Sequence, residues 1–541
     1  MSSYNYNQIT NSYIVNHCNN LILDLDWNAA EINSWNNAFC NKRNLQQCNL
    51  INFYGTPNLS YVFWWCNNLT NLDVSNWNMS NVTNLGNAFY DCDKLVTLDV
   101  SNWNTSNVTN LSHIFSYCSK LTNLDVSNWN TNKVTDLYAA FSHCNNLINL
   151  NLSNWNTSQV ISLEWAFASC LRLQNLNIAN WDIKNIKSLY VTFDSCRSLI
   201  NLNLSNWNVS NVVDLNRTFN GCVSLTNLDI SNWDISNVTN LQCTFRDCHN
   251  LTTLDVSKWN TSKVTSLSGT FDECFNLRTL NISNWNVDNV TDLIATFKNC
   301  KNLTTLNLFN WNVSKVNTLY ATFFDCDKLS ALDVSNWDTS NVNNLSNTFY
   351  NCASLVTLDV SNWNVGNVTN LFRMFGNCNL LTNLNISNWN LYKATDISQM
   401  FTQAAITNDV LIDFATVLTG AINVVQKNLY NNNIYSPVYS SSLHINSNTI
   451  GANLIQQLRS NGWTTENEQW TMTVRYCFTN GTAIQANSTY IYDYQENYNI
   501  QIPDWIQWGG RNYPLMTANQ FNGNMPARNV TFTAIYNDGV K

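Results

Sequence analysis

The chain has 541 residues, a formal net charge of −9 and only 11% charged residues, against roughly 25% in ordinary domains. Asn, Ser and Thr supply the polarity, and the acidic balance argues against a nucleic-acid partner, which needs a Lys/Arg stripe to displace counterions. No apolar run reaches transmembrane length, and the first twenty residues carry neither the basic region nor the apolar core of a secretory leader; the expectation is a protein with no membrane insertion and no leader in this sequence.

Residues 1–58 hold only fragments of a pattern. Cys40 stands 26 residues before Cys66, but Arg43 and Gln46 fill the Leu columns that follow. The stretch reads as a degenerate repeat and N-terminal cap, which a solenoid needs over its first exposed face. From 59 to 404 the period of 26 is unbroken: Trp77, Trp103, Trp129 and so on to Trp389, Cys66 to Cys378, and Phe63 to Phe401. Such a period overrides a length-based count of domains. Within a unit, Val82, Leu85, Phe89 and Cys92 are spaced three, four and three, which predicts one face of a short helix with Thr83 as its N-cap. Leu95, Leu98 and Val100 then read as a strand. About 13–14 such units, stacked at about 4.8 Å, predict a rod or arc of about 65 Å. With only 14 Gly and 5 Pro in the chain, the turns are expected to rest on Asn, which best tolerates positive φ.

Residues 405–467 carry helix-like runs around Val410–Leu418 and Ile450–Leu458, read as a C-terminal cap region. From 468 to 541 the pattern becomes alternating, at Met472, Val474, Tyr476 and Phe478 and again at Val530, Phe532 and Ala534, with Asn480–Gly481 as a hairpin signal. This predicts a small β domain.

The motifs are specific enough to resemble known families. Leu95–Val96–Thr97–Leu98–Asp99–Val100 resembles the LxxLxL core of leucine-rich repeats, with Trp103 where many such repeats place Asn. Ala88–Phe89–Tyr90–Asp91–Cys92–Asp93–Lys94–Leu95 resembles the AFxxCxxL segment of BspA-type repeats, and the phrase from Leu98 to Leu111 is similar to their SxWxTSxVTNM repeat. Gly523 to Thr531 resembles the closing strand of mucin-binding-protein (MucBP)-like modules. The resemblance implies an α/β leucine-rich-repeat solenoid of about 13–14 units with a small C-terminal β-grasp-like domain. It implies a surface protein for adhesion or recognition and names no ligand.

Candidate chemistry is sparse. The Cys column falls on the apolar face beside Phe and reads as buried free thiols rather than a disulfide framework. No CxxC pair exists for zinc, so no structural metal is expected. Asp73, Asp99, Asp125, Asp229, Asp255, Asp333 and Asp359 share one outward column; stacked carboxylates can collect calcium, or simply form a solvated polar face. His17, His113, His143, His249 and His444 are scattered, outside HExxH or any nucleophile motif. No catalytic residue, no cofactor and no enzyme activity are expected.

The positions that vary between units are the functional clue: Tyr138, Glu164 with Trp165, Tyr190, Tyr320 and Phe372, and the residues between Phe and Cys. Exposed aromatics there can stack on sugars or fill protein pockets, or mark an unconstrained surface. Trp505, Trp508 and Tyr513 cluster in a loop-like stretch of the C-terminal module and are read either as ligand contacts or as cover for a small core. The expectation is a non-enzymatic recognition or adhesion protein binding a cell-surface glycan or protein. It would sit on a bacteriophage virion, as a fibre or receptor-binding protein, or on a bacterial cell. A purely structural, self-assembling repeat protein, as a homo-oligomer or part of a virion assembly, is the alternative from another class.

Overall fold

The computed structural model describes residues 35–49, 53–421 and 452–461 and, from residue 470 on, a set of strands. Asn480–Gly481, His17, His444 and Met525 to Asn529 lie outside the described residues.

The repeats form a solenoid of about 13 turns. In most turns the middle of the predicted strand is real but short, as in Asn71–Asp73 or Thr357–Asp359, with its Leu buried and both neighbours exposed; at Thr97 and Asn123 it is reduced to a single bridge. Strands of adjacent turns pair parallel and in register, two by two, Asn149 with Asn175 and Leu150 with Leu176. Alternation along an extended backbone puts every second side chain outward, which leaves one polar face of stacked Asn, Thr and Asp.

The segment expected to be helical is not a helix. Ala88, Tyr90 and Cys92 do close three-residue turns, their N–H groups donating to the carbonyls of Leu85, Asn87 and Phe89 at 3.0, 3.3 and 3.2 Å. The alternate N–H groups, of Leu85, Asn87, Phe89 and Asp91, instead donate to Asn110, Ser112, Ile114 and Ser116 of the next turn, at 2.8–3.0 Å. An isolated segment has no such partner and would satisfy its amides along its own axis. A stacked copy offers a carbonyl at every second residue, so inter-turn bonds replace helical ones while Leu, Phe and Cys stay on one face. Thr83 is correspondingly no N-cap: its N–H and Oγ1 donate to the carbonyl of Pro57 in the preceding turn, at 2.8 and 2.9 Å.

This turn ladder needs two left-handed residues per unit, for example Asn87 (φ 60°) and Asp91 (φ 57°). Asn holds only some of these places. Trp65, Trp165, Ala295 and even the β-branched Val191 occupy others, at φ of 61°, 61°, 52° and 59°, so bonding to both neighbouring turns outweighs local preference.

Inside, two aromatic columns run the length of the stack. Adjacent Phe rings lie 5.6–5.9 Å apart through most of it, as at Phe115–Phe141 and Phe167–Phe193. Trp rings stack beside them, Trp103 on Trp129 at 5.9 Å and 3°. Each buried indole needs an acceptor, and Trp103 Nε1 donates to the Val74 carbonyl of the turn before at 3.0 Å. The Cys column is equally regular. Cys118 Sγ donates to the Phe89 carbonyl at 3.1 Å, Cys222 Sγ to Phe193 at 3.2 Å. All described cysteines are free, and burial pushes the thiols up, to about 12 at Cys66 and Cys170.

The first turn corrects the reading of residues 35–58. Gln47 pairs with Asn71 and Cys48 with Leu72, a step of 24 rather than 26. The shortening lies between Tyr54 and Asn58, because Tyr54 bridges Asn78 while Asn58 bridges Asn84. Phe39 therefore stacks on Phe63 at 5.1 Å, Leu45 and Cys48 rather than Arg43 and Gln46 fill the Leu columns and are buried, and Lys42 rather than Cys40 stands in the Cys column.

At the other end helix α1, Asn408–Leu418, covers the last turn, with Phe414 edge-on to Phe401 at 5.0 Å. Helix α2, Ala452–Ser460, buries Leu458, and Asn461 after it donates to the Thr419 carbonyl at 3.0 Å. Beyond them Trp470–Phe478 pairs antiparallel with Ser488–Tyr492 and parallel with Val530–Tyr536. Trp505–Trp508 pairs antiparallel with Arg511–Pro514, placing Tyr513 opposite Ile506. The stretch read as loop-like is thus a two-stranded hairpin.

Candidate functional site

The strand face and the turn-ladder face differ in information content. On the strand face, Asp73, Asp125, Asp255 and Asp359 each accept from the Ser two residues on, as Asp73 Oδ1 does from the Ser75 N–H at 3.0 Å and its Oγ at 2.7 Å. These bonds hold the carboxyls below the usual carboxylate range. One Oδ of each carboxylate in the candidate calcium column is thus engaged by its own turn. A shallow groove of about 810 Å³ crosses five turns here, lined by Thr253, Thr279, Thr305, Ala331 and Thr357 with the Asp/Asn column. Its walls repeat nearly the same residues in each turn, a Thr or Ala, a Leu and an Asp or Asn, so it is the dish of a stacked sheet rather than a shaped pocket.

The ladder face is different in every turn, and the structure strings its aromatic residues together. Trp64 stacks on Trp65 at 4.3 Å, with Tyr61 edge-on at 6.1 Å and the Arg43 guanidinium 4.8 Å over Trp65. Trp64 meets Tyr90 at 6.2 Å; Tyr90 meets His113 at 5.6 Å and Tyr117 at 5.4 Å. The chain continues from His113 to Tyr138 at 5.0 Å and from Tyr117 to His143 at 4.1 Å. Trp165 and Tyr190 follow as an edge-on pair at 5.9 Å. These rings are half-buried, with Tyr61 and Tyr117 each 39% exposed. Burial lowers the pKa of His113 and His143 below the ordinary imidazole value, so both are neutral rings at physiological pH.

Further along, the same columns turn charged. Asp194 is buried and accepts from Arg217 Nε and Asn220 Nδ2, both at 2.8 Å. Arg246 and Lys298 flank the buried Asp272, each at 3.4 Å. Aromatics then return: Phe275 under His249 at 4.5 Å, Phe324 on Tyr350 at 4.9 Å, and Arg373 over Phe372 at 4.8 Å.

Of the residues singled out from sequence, Trp165 and Tyr190 are in contact, and Tyr138 stands on the same face against His113. Trp505, Trp508 and Tyr513 share the C-terminal hairpin. Trp64, Trp65, Tyr90, His113, Tyr117 and His143 were not picked out. Their signal was present in the variable positions, after the Leu for His113 and between Phe and Cys for the others, read at intervals of 26.

Among solved structures the chain is similar to a leucine-rich-repeat protein of Leptospira interrogans, at 17% identity over 79% of this chain and 93% of that one, with a TM-score of 0.22. It is also similar to a chain of a TLR13–ssRNA13 complex, at 18% identity over 71% of this chain and 52% of that one, with a TM-score of 0.23. It therefore spans about half the length of the latter. No curated protein matches it. A family model matches at residues 7–95, 57–176, 161–253, 244–331 and 318–426, covering the whole solenoid. The chain belongs to that family, described as "Mycoplasma protein of unknown function, DUF285".

Proposed function

We propose that the protein is a non-enzymatic recognition protein that binds a cell-surface glycan or protein through the N-terminal half of its turn-ladder face. The observation that carries this is the run of partly buried aromatic rings in contact from Tyr61 to Tyr138 and His143, followed by the Trp165–Tyr190 pair, on a face whose side chains change from turn to turn, whereas the strand face repeats nearly the same residues. Aromatic rings held by packing offer large contact area with little entropy to lose. A repeat family of solenoid form is consistent with a display scaffold, and no enzymatic family is indicated. Between a virion and a bacterial surface, the family's description favours the bacterium. The C-terminal strands, with their resemblance to MucBP-like modules, would then anchor or extend the scaffold.

The test is binding of the full chain to cultured cells and to an immobilised glycan panel. Replacing Tyr61, Tyr117 and Trp165 together by Ser is expected to abolish binding while leaving the thermal midpoint close to that of the parent, since none of the three belongs to the inner columns. Undiminished binding by a folded triple variant overturns this placement.

A further inference from the structure

We infer that Asp247, His249 and Glu273 form a binding site for a divalent transition-metal ion, with zinc as the best match to the donor set. Asp247 Oδ1, His249 Nε2 and a Glu273 carboxylate oxygen all lie within 4.8 Å of one another. His249 Nε2 is 3.9 Å from Asp247 Oδ1 and 3.6 Å from Glu273 Oε2. Those distances are too long for hydrogen bonds. They are close to the edges of a coordination polyhedron, because metal–ligand distances of about 2.0–2.2 Å put tetrahedral ligand atoms about 3.3–3.6 Å apart.

The fold places the three donors firmly. Asp247 and Glu273 are the same column in adjacent turns. Both are left-handed, at φ 58° and 62°, and both are tied by their N–H groups to the next turn at 2.8 Å. His249 lies two residues past Asp247, and its ring rests on Phe275 at 4.5 Å, which fixes the direction of the imidazole.

Two further observations point to a cation. Asp247 Oδ1 and His249 Nε2 are shielded from solvent and accept or donate no hydrogen bond, although buried polar atoms ordinarily have partners. And two carboxylates face each other without a Lys or Arg within 4 Å of either among the described residues; the nearby Arg246 and Lys298 pair with Asp272 instead. A dication between Asp247 and Glu273 relieves that repulsion. One imidazole with two carboxylates suits zinc and its neighbours better than calcium or magnesium, which prefer oxygen alone. The three side chains are about a third exposed, at 33%, 31% and 28%. An ion held there keeps open positions toward solvent, on the ladder face, for water or for an oxygen donor of a partner.

Equilibrium dialysis of the full reduced chain against zinc chloride tests this, with thermal melting as a second readout. The parent is expected to hold one zinc and to melt higher when zinc is present. His249→Ala and Glu273→Gln are each expected to lose at least about tenfold in affinity and the zinc-induced rise, while melting no lower than the metal-free parent. Asp247→Asn, which keeps the side-chain shape, serves if either variant fails to fold. Zinc retained by these variants, displacement of zinc by equimolar calcium, or thiolate charge-transfer bands on cobalt substitution would each overturn the site, the last by moving the ion to the cysteines.

Discussion

Ala295 and Ala166 show how the turn ladder inverts the usual meaning of a residue. Both are small and sit in equivalent stretches, but Ala295 is held at φ 52° and Ala166 is not left-handed. A left-handed L-residue costs roughly 1–2 kcal/mol, which glycine avoids. Ala295→Gly is therefore expected to raise stability by up to about 1 kcal/mol, and Ala166→Gly to lower it by about 1 kcal/mol; equal signs in denaturant melts contradict the ladder geometry. The thiols make a second residue-scale case. Each described column Sγ points at the Phe carbonyl of the turn before, and burial holds the thiols protonated. A thiol reagent should find few reactive groups in the native protein and nearly all 18 cysteines after denaturation without reductant. Mostly disulfides in the denatured chain would refute the free-thiol column. Residue logic also corrects one contrast. Asn220 varies between units and was expected to be a surface position, but it is buried and donates to Asp194. Its truncation should cost about 1–3 kcal/mol by leaving that carboxylate under-bonded.

At the scale of one turn, Phe219 is the useful probe. It lies 5.7 Å from both Phe193 and Phe245 and 6.1 Å from Trp233, so Phe219→Ala removes contacts to both neighbouring turns at once. The expected cost is about 3–5 kcal/mol, against about 0.5 or less for the exposed Asn232→Ala; similar shifts in thermal unfolding would sink the assignment of the inner column. What was legible at this scale follows from which force each position answers to. Phe89, Cys92, Leu95 and Trp103 answer to burial, which repeats in every unit, and their columns are plain in the sequence. The backbone of Leu85–Cys92 answers to a neighbour 25 residues away, and side-chain spacing alone cannot distinguish a short helix from a stacked turn that presents the same face. The candidate site is half legible for a related reason. Variation at Tyr138, Trp165 and Tyr190 marks the face, but the path from Trp64 through Tyr90 to Tyr117 and His143 crosses between columns. So does the meeting of His249, which reads as one of a scattered set of histidines, with Asp247 and Glu273.

For the whole molecule, stability is the sum of turns and the interfaces between them, and a stack fails first at an uncovered end. At the C-terminal end Phe401, Met400 and Ile397 are completely buried, and α1 lies over the last turn with Phe414 against Phe401. A chain ending before Asn408 exposes that surface and is expected to aggregate or fray. A chain ending near residue 467 keeps α1, α2 and the Asn461–Thr419 bond, and loses only the strands from Trp470 onward. It should therefore retain the cooperative melting and circular dichroism of the solenoid. The same truncation separates the two placements of the binding surface. If the rings from Tyr61 to Tyr190 make the contact, the truncated protein binds cells and glycans as the full chain does, and the Tyr61/Tyr117/Trp165 triple variant is the one that fails. If Trp505, Trp508 and Tyr513 make it, the pattern reverses, with binding lost on truncation and kept in the triple variant. Loss in both variants would mean that the two regions engage one ligand together. The affinity of the full chain would then exceed that of either part through effective concentration rather than new contacts, and mixing the two parts unlinked should fail to restore it.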